Sequence, residues 1–558
     1  MNKTALSSFL VLIVVGVVAI VLAQFGQDAS WRFLLAFYPL LVILLGVAAL
    51  GQSGLRMAFV GLGLAILLAV FQFGTPIEVA LGASVYGFIK SFGISISVAA
   101  TMLMIFLMKE AGVLQTVSKV IKQQVVGDEV RALYVGIGFG SFLTSLGVVT
   151  PALFPPLLIA MGFAPSAAVA ISVLGYDPTT SFSLLSIPIT LPAAIGGLNA
   201  VTFAFKIALF LPVVSTGFAF AVLWLVGGKE SMRKGATPAL ICGLVLAFAC
   251  LGTVSLDYFT SVEYVPLRVV GVIAGLCAMA SMLIYQKLRP STSAKTEKVD
   301  YPNRSEVFRA FSPWIILTVL AAVVSIPDVG RWLSDLPGSL EIVTVFADQK
   351  VDLDVFSQIY TWIFVAVLLS FFTLKMSGKQ IRDGLSVWIR RFLGPFLTFG
   401  LYFGVSFVMA WSAMEIVGGK LVPLSASFKT LNMNMILGST LAAVFGAGYV
   451  FVAASLGLFG AIVGGSEASS NVLFLNIQRT AAEDLGLSNS GFMTVYGSHA
   501  VAGGIASSVT PAKINNAVVT IDAGREMEAV IMRKHLVVAV LLTIATGIMT
   551  GILVNLGI

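Results

Sequence analysis

The stretch Gly464-Gly465-Ser466-Glu467-Ala468-Ser469-Ser470-Asn471 decides how this chain is read. It is a polar run carrying an acid, set between apolar arms at 434–463 and 472–483. Arms of that composition belong in a bilayer. Irregular backbone at membrane depth is tolerated only where protein buries it or where it lines a cavity. The segment 434–483 therefore reads as a re-entrant hairpin with a polar tip. An interrupted span follows at 491–519, broken at Gly497-Ser498-His499-Ala500, at Gly503-Gly504 and at Ser507-Ser508-Val509-Thr510-Pro511-Ala512-Lys513.

The rest of the chain supplies the membrane. Of 558 residues, 58% are hydrophobic and 11% charged, too few charges to keep a soluble surface wet. Runs of about 20 apolar residues match a hydrocarbon core of ~30 Å. They fall near 5–24, 33–50, 55–73, 79–108, 198–226, 237–255, 264–285, 307–326, 355–374, 387–413 and 534–555. For the first, a signal peptide is the rival reading, kept open by Val21-Leu22-Ala23. The net charge of +7 sits in loops, so it marks topology rather than nucleic-acid binding. The loop 287–309, with Lys287, Arg289, Lys295, Lys298, Arg304 and Arg309, reads as a cytoplasmic linker between halves. Loops 257–263 and 328–354 lean acidic and should face out.

Crossing parity then singles out 132–196, which must hold an odd number of crossings. A hairpin at 132–163 followed by an interrupted span at 166–196 satisfies it; three full crossings would also fit the parity, although the first two apolar pieces are short. The hairpin tip is Thr144-Ser145-Leu146-Gly147-Val148-Val149-Thr150-Pro151, and the break is Gly175-Tyr176-Asp177-Pro178-Thr179-Thr180-Ser181. One hairpin enters from each side, the pattern of an inverted repeat. The expected fold is an all-α membrane protein with about 13 transmembrane helices, two re-entrant hairpins and inverted-topology repeats with interrupted helices. Residues 1–30 form an extra helix, 31–230 the first repeat, 231–305 the connecting helices and linker, and 306–558 the second repeat.

Each interruption has Gly or Pro to open the helix and Ser, Thr or Asn to satisfy freed backbone groups. Helix N-termini at such breaks hold anions. Packing of small residues between helices is the plainer reading of any single one of them. The substrate-binding candidates are Thr144, Ser145, Thr150, Tyr176, Thr179, Ser466, Ser469, Ser470, Asn471, Ser507, Thr510 and Lys513. Ionisable groups at depth are costly and mark functional paths. Asp177, Glu467 and His499 are the proton-coupling candidates, and Lys513 would neutralise a carboxylate. The plain alternatives are a helix-start device for Asp177 before Pro178, and a tip in outer water for Glu467. Lys206 is expected to snorkel outward. Cys242, Cys250 and Cys277 read as small core residues. Two histidines, His499 and His535, are too few for a His-based metal centre, so no metal or cofactor is expected.

Several motifs carry a family resemblance. Gly465-Ser466-Glu467-Ala468-Ser469-Ser470-Asn471-Val472-Leu473-Phe474 resembles the Gly-Ser-Asp-Thr-Ser-Ser-Asn-Ala-Leu-Phe segment of the L-lactate permease family. Gln478, Thr480-Ala481-Ala482 and Leu485-Gly486 follow in the same frame, and Gly503-Gly504 and Thr510-Pro511 fall where the family has Gly-Gly and Ser-Pro pairs. Phe139-Gly140-Ser141-Phe142-Leu143, Ile187-Pro188-Ile189, Phe311-Ser312-Pro313-Trp314 and Ser325-Ile326-Pro327 extend the similarity over nearly the whole chain. Hairpin one departs from it. The family's acidic position is Thr144 here, most of a Gly-Ala-Ala-Gly-Phe-Gly-Ala-Pro run is replaced, and an acid stands instead at Asp177.

The resemblance implies proton-coupled import of L-lactate or a similar 2-hydroxy monocarboxylate, such as glycolate, through the cytoplasmic membrane of a prokaryote. Na⁺-coupled transport of another organic anion is the alternative, and a passive channel a further one. An intramembrane enzyme is disfavoured: His-Glu-x-x-His is absent and no Gly-x-Ser-x-Gly stands near a base. The expected partners are a small carboxylate, a proton or Na⁺, and the bilayer, with a homodimer as one permitted assembly.

Overall fold

The computed structural model describes residues 29–48, 52–147, 150–152, 154–175, 177–289, 302–337, 341–424, 428–464, 466–510, 513–514, 517–518, 521, 523 and 525–558. The first expected span, the segment 1–30 as a unit, and Tyr176 fall wholly or mostly outside these residues. Among the described residues, nine helices are long and apolar enough to cross a membrane. Four apolar helices are shorter, among them Pro165–Leu174 and Ile359–Leu374. The first expected span lies outside the described residues, and apolar helices such as Pro165–Leu174 and Ile359–Leu374 fall short of crossing length, so the count of nine does not reach the expected 13.

One body is organised along a single long helix, Gly378–Ala410, which starts at a capping box of Ser377 and Gln380. Against it run Gly54–Phe71, Ile77–Lys90 and Phe92–Glu110. The expected span 79–108 is thus two helices meeting at Ser91. Gly87 permits a close crossing, since a side-chain carbon there would stand 2.5 Å from the Phe403 carbonyl oxygen. Arg304–Val324 and Ile359–Leu374 pack together and complete this body.

The second body contains Leu211–Lys234, Ala236–Thr260, Leu267–Leu288 and the first helix-turn-helix unit. That unit begins with Asp128–Leu133, Tyr134–Phe139 in π-helical geometry and Gly140–Ser145, then returns through Phe154–Ala160. Its ends meet: the Arg131 guanidinium donates to the Met161 carbonyl at 3.2 Å. Gly136, Gly140 and Gly175 let it cross Pro165–Leu174 at backbone contact. Beyond Gly175 the chain is irregular until Ile187–Gly196, with Thr180, Leu184, Leu185 and Ser186 all at positive φ. The expected span 198–226 is also divided, into Ala200–Ala208 and Leu211–Lys234, with Pro212 opening the second piece.

The expected arm 434–463 is likewise two helices, Met433–Phe445 and Tyr449–Gly464. Gly446, at φ 51° and ψ −135°, ends the first in a conformation only glycine adopts readily. Both lie against Glu467–Asp484: Gly438 faces Ile477 and Thr480, and Gly460 faces Ser470 and Phe474. Asn489–Ala506 follows, then a single turn at Ser507–Val509, and finally Arg525–Asn555.

Two small antiparallel sheets were not foreseen. They pair Glu341–Phe346 with Gln349–Asp352, and Met414–Val417 with Lys420–Pro423. Their turns meet where the Ala347 amide donates to the Gly419 carbonyl at 3.0 Å and the Leu421 amide donates to Asp348 at 3.2 Å.

Candidate functional site

The polar interruptions of the two halves converge. Ser466 caps Glu467–Asp484, its hydroxyl oxygen accepting from the Ser469 amide at 3.2 Å. Glu467, the first residue of that helix, is 6% exposed, which excludes a tip in outer water. One of its carboxylate oxygens accepts a hydrogen bond from Ser181, in the irregular stretch of the first half. The other lies against Gly504, where a side-chain carbon would stand 2.9 Å from it and 2.7 Å from Thr180 Cβ. At Gly503 the same construction meets Glu467 Cγ at 3.2 Å and Asn471 Oδ1 at 3.7 Å. The glycine pair is therefore the floor on which Glu467, Thr180 and Asn471 sit.

Asp177, 3% exposed, is the second carboxylate. Its Oδ1 stands 4.0 Å from Lys513 Nζ, and Lys513 donates to Ser507. The Lys513 ammonium is within electrostatic reach of both carboxylates. Several oxygens in this cluster are buried and have no hydrogen-bond partner: Asp177 Oδ2, Thr179 Oγ1, Thr180 Oγ1 and Asn471 Oδ1. Orphaned polar atoms of this kind are rare in folded proteins and need a reason. Asn471 is held in one orientation, because its Nδ2 donates to the Pro188 carbonyl at 2.9 Å while its backbone carbonyl accepts from the Tyr496 hydroxyl at 2.7 Å.

Of the sequence candidates, Asp177, Thr179, Glu467, Asn471, Ser507 and Lys513 come together here, with Ser466 and Ser469 forming the cap beneath Glu467. Ser145 flanks the group: its hydroxyl and the Phe182 carbonyl both face Gly271. Thr144, Thr150 and Thr510 do not join. Thr144 donates to Gly140 O at 3.0 Å, Thr150 to Ser172 O at 3.1 Å and Thr510 to Ala506 O at 3.3 Å.

His499 belongs to a different network. Tyr449 donates to Gln478 Oε1 at 2.7 Å, which turns Gln478 Nε2 toward His499 Nδ1 at 3.0 Å. His499 Nε2 then faces Ser470 Oγ at 3.1 Å, and Ser470 donates to Gly457 O at 3.3 Å. With Nδ1 accepting, the proton is on Nε2 and every member of the chain is neutral and satisfied. Lys206 does not snorkel. It is 3% exposed and donates to Ser490 Oγ at 2.7 Å, across the seam between halves.

Ser181 and Thr180 were not singled out from the sequence, although both stand in the first break. The signal that could have found them is the run Asp177-Pro178-Thr179-Thr180-Ser181, which places hydroxyls on consecutive residues where the helix is already open.

These features define a polytopic membrane protein in which two buried carboxylates and an ammonium gather where helices begin and break. Comparison with known proteins gives the family. The L-lactate permease family model matches residues 32–557, and the chain belongs to that family. It is 23% identical to the glycolate permease GlcA of Escherichia coli K12, over 82% of this chain and 84% of that protein. It is 24% identical to the L-lactate permease of Bacillus subtilis, over 83% and 86%, and 24% identical to that of Streptococcus iniae, over 82% and 92%. A structural comparison finds the YdaH transporter of Alcanivorax borkumensis at a TM-score of 0.38 and 14% identity, covering 85% of this chain and 88% of that one.

Proposed function

We propose that this chain is a secondary active transporter of a small monocarboxylate such as L-lactate or glycolate, driven by proton symport. The observation that carries the reading is the unequal charge of a buried site. Asp177 and Glu467 face one ammonium, Lys513. Fully ionised, the cluster has one negative charge in excess, and an unpaired charge in a low-dielectric interior costs several kcal/mol. A proton on one carboxylate removes that cost. A monocarboxylate entering with one further proton adds no net charge, whereas a dicarboxylate would need two. The names of the relatives, glycolate and L-lactate permeases, support the same substrate class.

Within this reading Glu467 carries the proton, with Ser181 donating to it, and Asp177 holds Lys513 in place. The ammonium and the Thr179 and Thr180 hydroxyls receive the substrate carboxylate. Asn471 Oδ1 accepts from the 2-hydroxyl. One helix-turn-helix unit in each half supports an inverted repeat and alternating access, with one body moving against the other. Na⁺ is the second reading, favoured by one observation: the unpartnered oxygens of Thr179, Thr180 and Asn471 are the hard donors such an ion takes.

The test is uptake by the purified protein in proteoliposomes, using radiolabelled L-lactate, glycolate, pyruvate and succinate. An imposed pH gradient should drive saturable accumulation of monocarboxylates and not of succinate. Accumulation driven by a Na⁺ gradient alone would replace the proton with sodium. No accumulation of any of these acids under either gradient refutes the proposal.

A further inference from the structure

The first half of Gly378–Ala410 has a face that the rest of the described chain leaves largely open, although Leu385 on it touches the core. Its other side is pinned to Phe92–Glu110: Gln380 Nε2 donates to Glu110 O at 2.9 Å, Gly384 lies against Leu107, and Trp388 Nε1 donates to Ala99 O at 2.8 Å. The open face carries Ile381, Leu385, Ile389 and Leu393, one every four residues, with Ile389 and Leu393 more than half exposed. Arg382, Ser386 and Arg390 border this stripe and with it line a shallow groove. The Arg390 head is fixed at the groove's edge, its Nε donating to Ser386 O at 3.2 Å and its Nη2 to Ser386 Oγ at 2.6 Å.

The charge here is one-sided. Lys379, Arg382, Arg390 and Arg391 stand against a single acid, Asp383, in residues 378–393. Among the described residues, none of the four cations makes an ion pair with a carboxylate. The placement along the membrane normal follows from length. At roughly 1.5 Å per residue, this helix of 33 residues is about 50 Å long. The hydrocarbon core is ~30 Å, so about 20 Å extends beyond it. Basic residues lie on the cytoplasmic side, which puts the projecting part at the inner leaflet. The arginines then stand at headgroup depth, with Ile389 and Leu393 just below.

We propose that this groove binds an anionic phospholipid of the inner leaflet, its phosphate taken by Arg382 and Arg390 and its acyl chains lying along the Ile381–Leu385–Ile389–Leu393 stripe. An acyl stripe beneath two arginines, one of them held in place, suits a phosphodiester lipid and gives a zwitterionic one no advantage, because its choline would meet the same cations. A second copy of the chain is a poor occupant, since a symmetric contact would set four cations against the same four. The proposal does not depend on the substrate or the coupling ion.

The full-length protein is purified in neutral detergent, offered phosphatidylglycerol or phosphatidylcholine, and its bound lipid counted by native mass spectrometry. Phosphatidylglycerol should be retained in preference. At the strength usual for a basic group near an anionic surface, Arg382→Gln with Arg390→Gln should weaken that retention about 30-fold. Arg382→Lys with Arg390→Lys should keep most of it. The glutamine variant should be monodisperse and melt like the parent in the absence of lipid, which separates lost binding from misfolding. Equal retention of the two lipids overturns the proposal. So does an unchanged glutamine variant, full competition by millimolar inorganic phosphate, or a dimer cross-linked through Ser386→Cys.

Discussion

Gly504→Ala tests the carboxylate site with a single methyl group. The new carbon would stand 2.7 Å from Thr180 Cβ and 2.9 Å from Glu467 Oε2. Non-bonded carbons settle at roughly 3.5–4.0 Å, so Thr180 has to give by about 1 Å. It cannot do so cheaply. Thr180 is at φ 44°, and the Ser183 amide bonds back to its carbonyl at 3.0 Å. Overpacking of this kind costs about 1–3 kcal/mol of stability, and a displacement of about 1 Å in an aligned site costs on the order of 100-fold in turnover. At Gly503 the nearest atom is the flexible Glu467 Cγ, at 3.2 Å, so Gly503→Ala asks for only a small adjustment. In proteoliposome uptake, with thermal unfolding measured in parallel, Gly504→Ala should fall about 100-fold and melt earlier, while Gly503→Ala stays much nearer the parent. A Gly504→Ala protein with parental uptake and melting would show that Thr180 and Glu467 do not need their observed spacing. The reverse ranking of the two alanines would refute the packing argument itself.

Four further perturbations separate the roles of the buried groups. Glu467→Gln keeps the shape and still accepts from Ser181 but cannot carry a proton; pH-driven accumulation should vanish while exchange in preloaded vesicles persists, and surviving pH-driven uptake would remove Glu467 from that role. Lys513→Met leaves two carboxylates without their cation, so adding Asp177→Asn should recover part of the loss, with a coupling of about 1–3 kcal/mol in a double-mutant cycle of melting. Asp177→Asn alone should reduce uptake and Thr144→Glu restore some of it if Asp177 stands in for the acid absent from hairpin one; normal uptake by Asp177→Asn would end that idea. His499→Gln should cost about 1–3 kcal/mol by breaking a closed buried network without moving the pH profile of uptake, and a moved profile would return His499 to the coupling machinery.

What the sequence made legible follows the range of each signal. Hydrophobic length is local, and within the described residues the segments it marks are helical, with the spans expected at 79–108 and 198–226 each divided in two. The interruptions at 175–181 and from Ser507 onward are present, but the breaks expected at Gly497-Ser498-His499-Ala500 and Gly503-Gly504 are not: both runs lie inside the continuous helix Asn489–Ala506, where the glycines serve close packing instead. The misses have a different origin. The break at Gly446 was hidden because Gly446-Ala447-Gly448 keeps the apolar composition of its flanks; only the backbone conformation of one glycine divides the arm. Lys206 looked like a snorkelling side chain because its partner, Ser490, is remote in sequence. His499 drew attention as a titratable group, yet Gln478 and Tyr449, which make it a neutral packing element, carry no charge to announce them. Thr144 matched a family acid in position and is instead satisfied by its own helix. Pairing between distant segments, rather than residue type, decided each of these.

The same distinction bears on which parts can move. The two halves are tied by polar bonds, buried between Ser181 and Glu467 and from Asn471 to Pro188 O at 2.9 Å, half-buried from Arg479 to Gly196 O at 2.6 Å and from Lys206 to Ser490 at 2.7 Å. Separating them would strand several donors and acceptors at once, at about 1–3 kcal/mol each. The seam with the Gly378–Ala410 body is of another kind. Gly147 meets the Thr101 methyl, and the polar bonds that cross are Ser406 to Val472 O at 3.3 Å, Arg268 to Ser357 O at 3.3 Å and, beside the chain connection, Asn432 to Ala410 O and Ser412 O at 2.9 Å each. Apolar surfaces can slide and repack with little change in free energy, because dispersion contacts are non-directional and are remade one register along. If the chain works by alternating access, both breaks must therefore travel together, with Glu467, Asp177 and Lys513 as one cargo-bearing unit, and the long-helix body is what they move against.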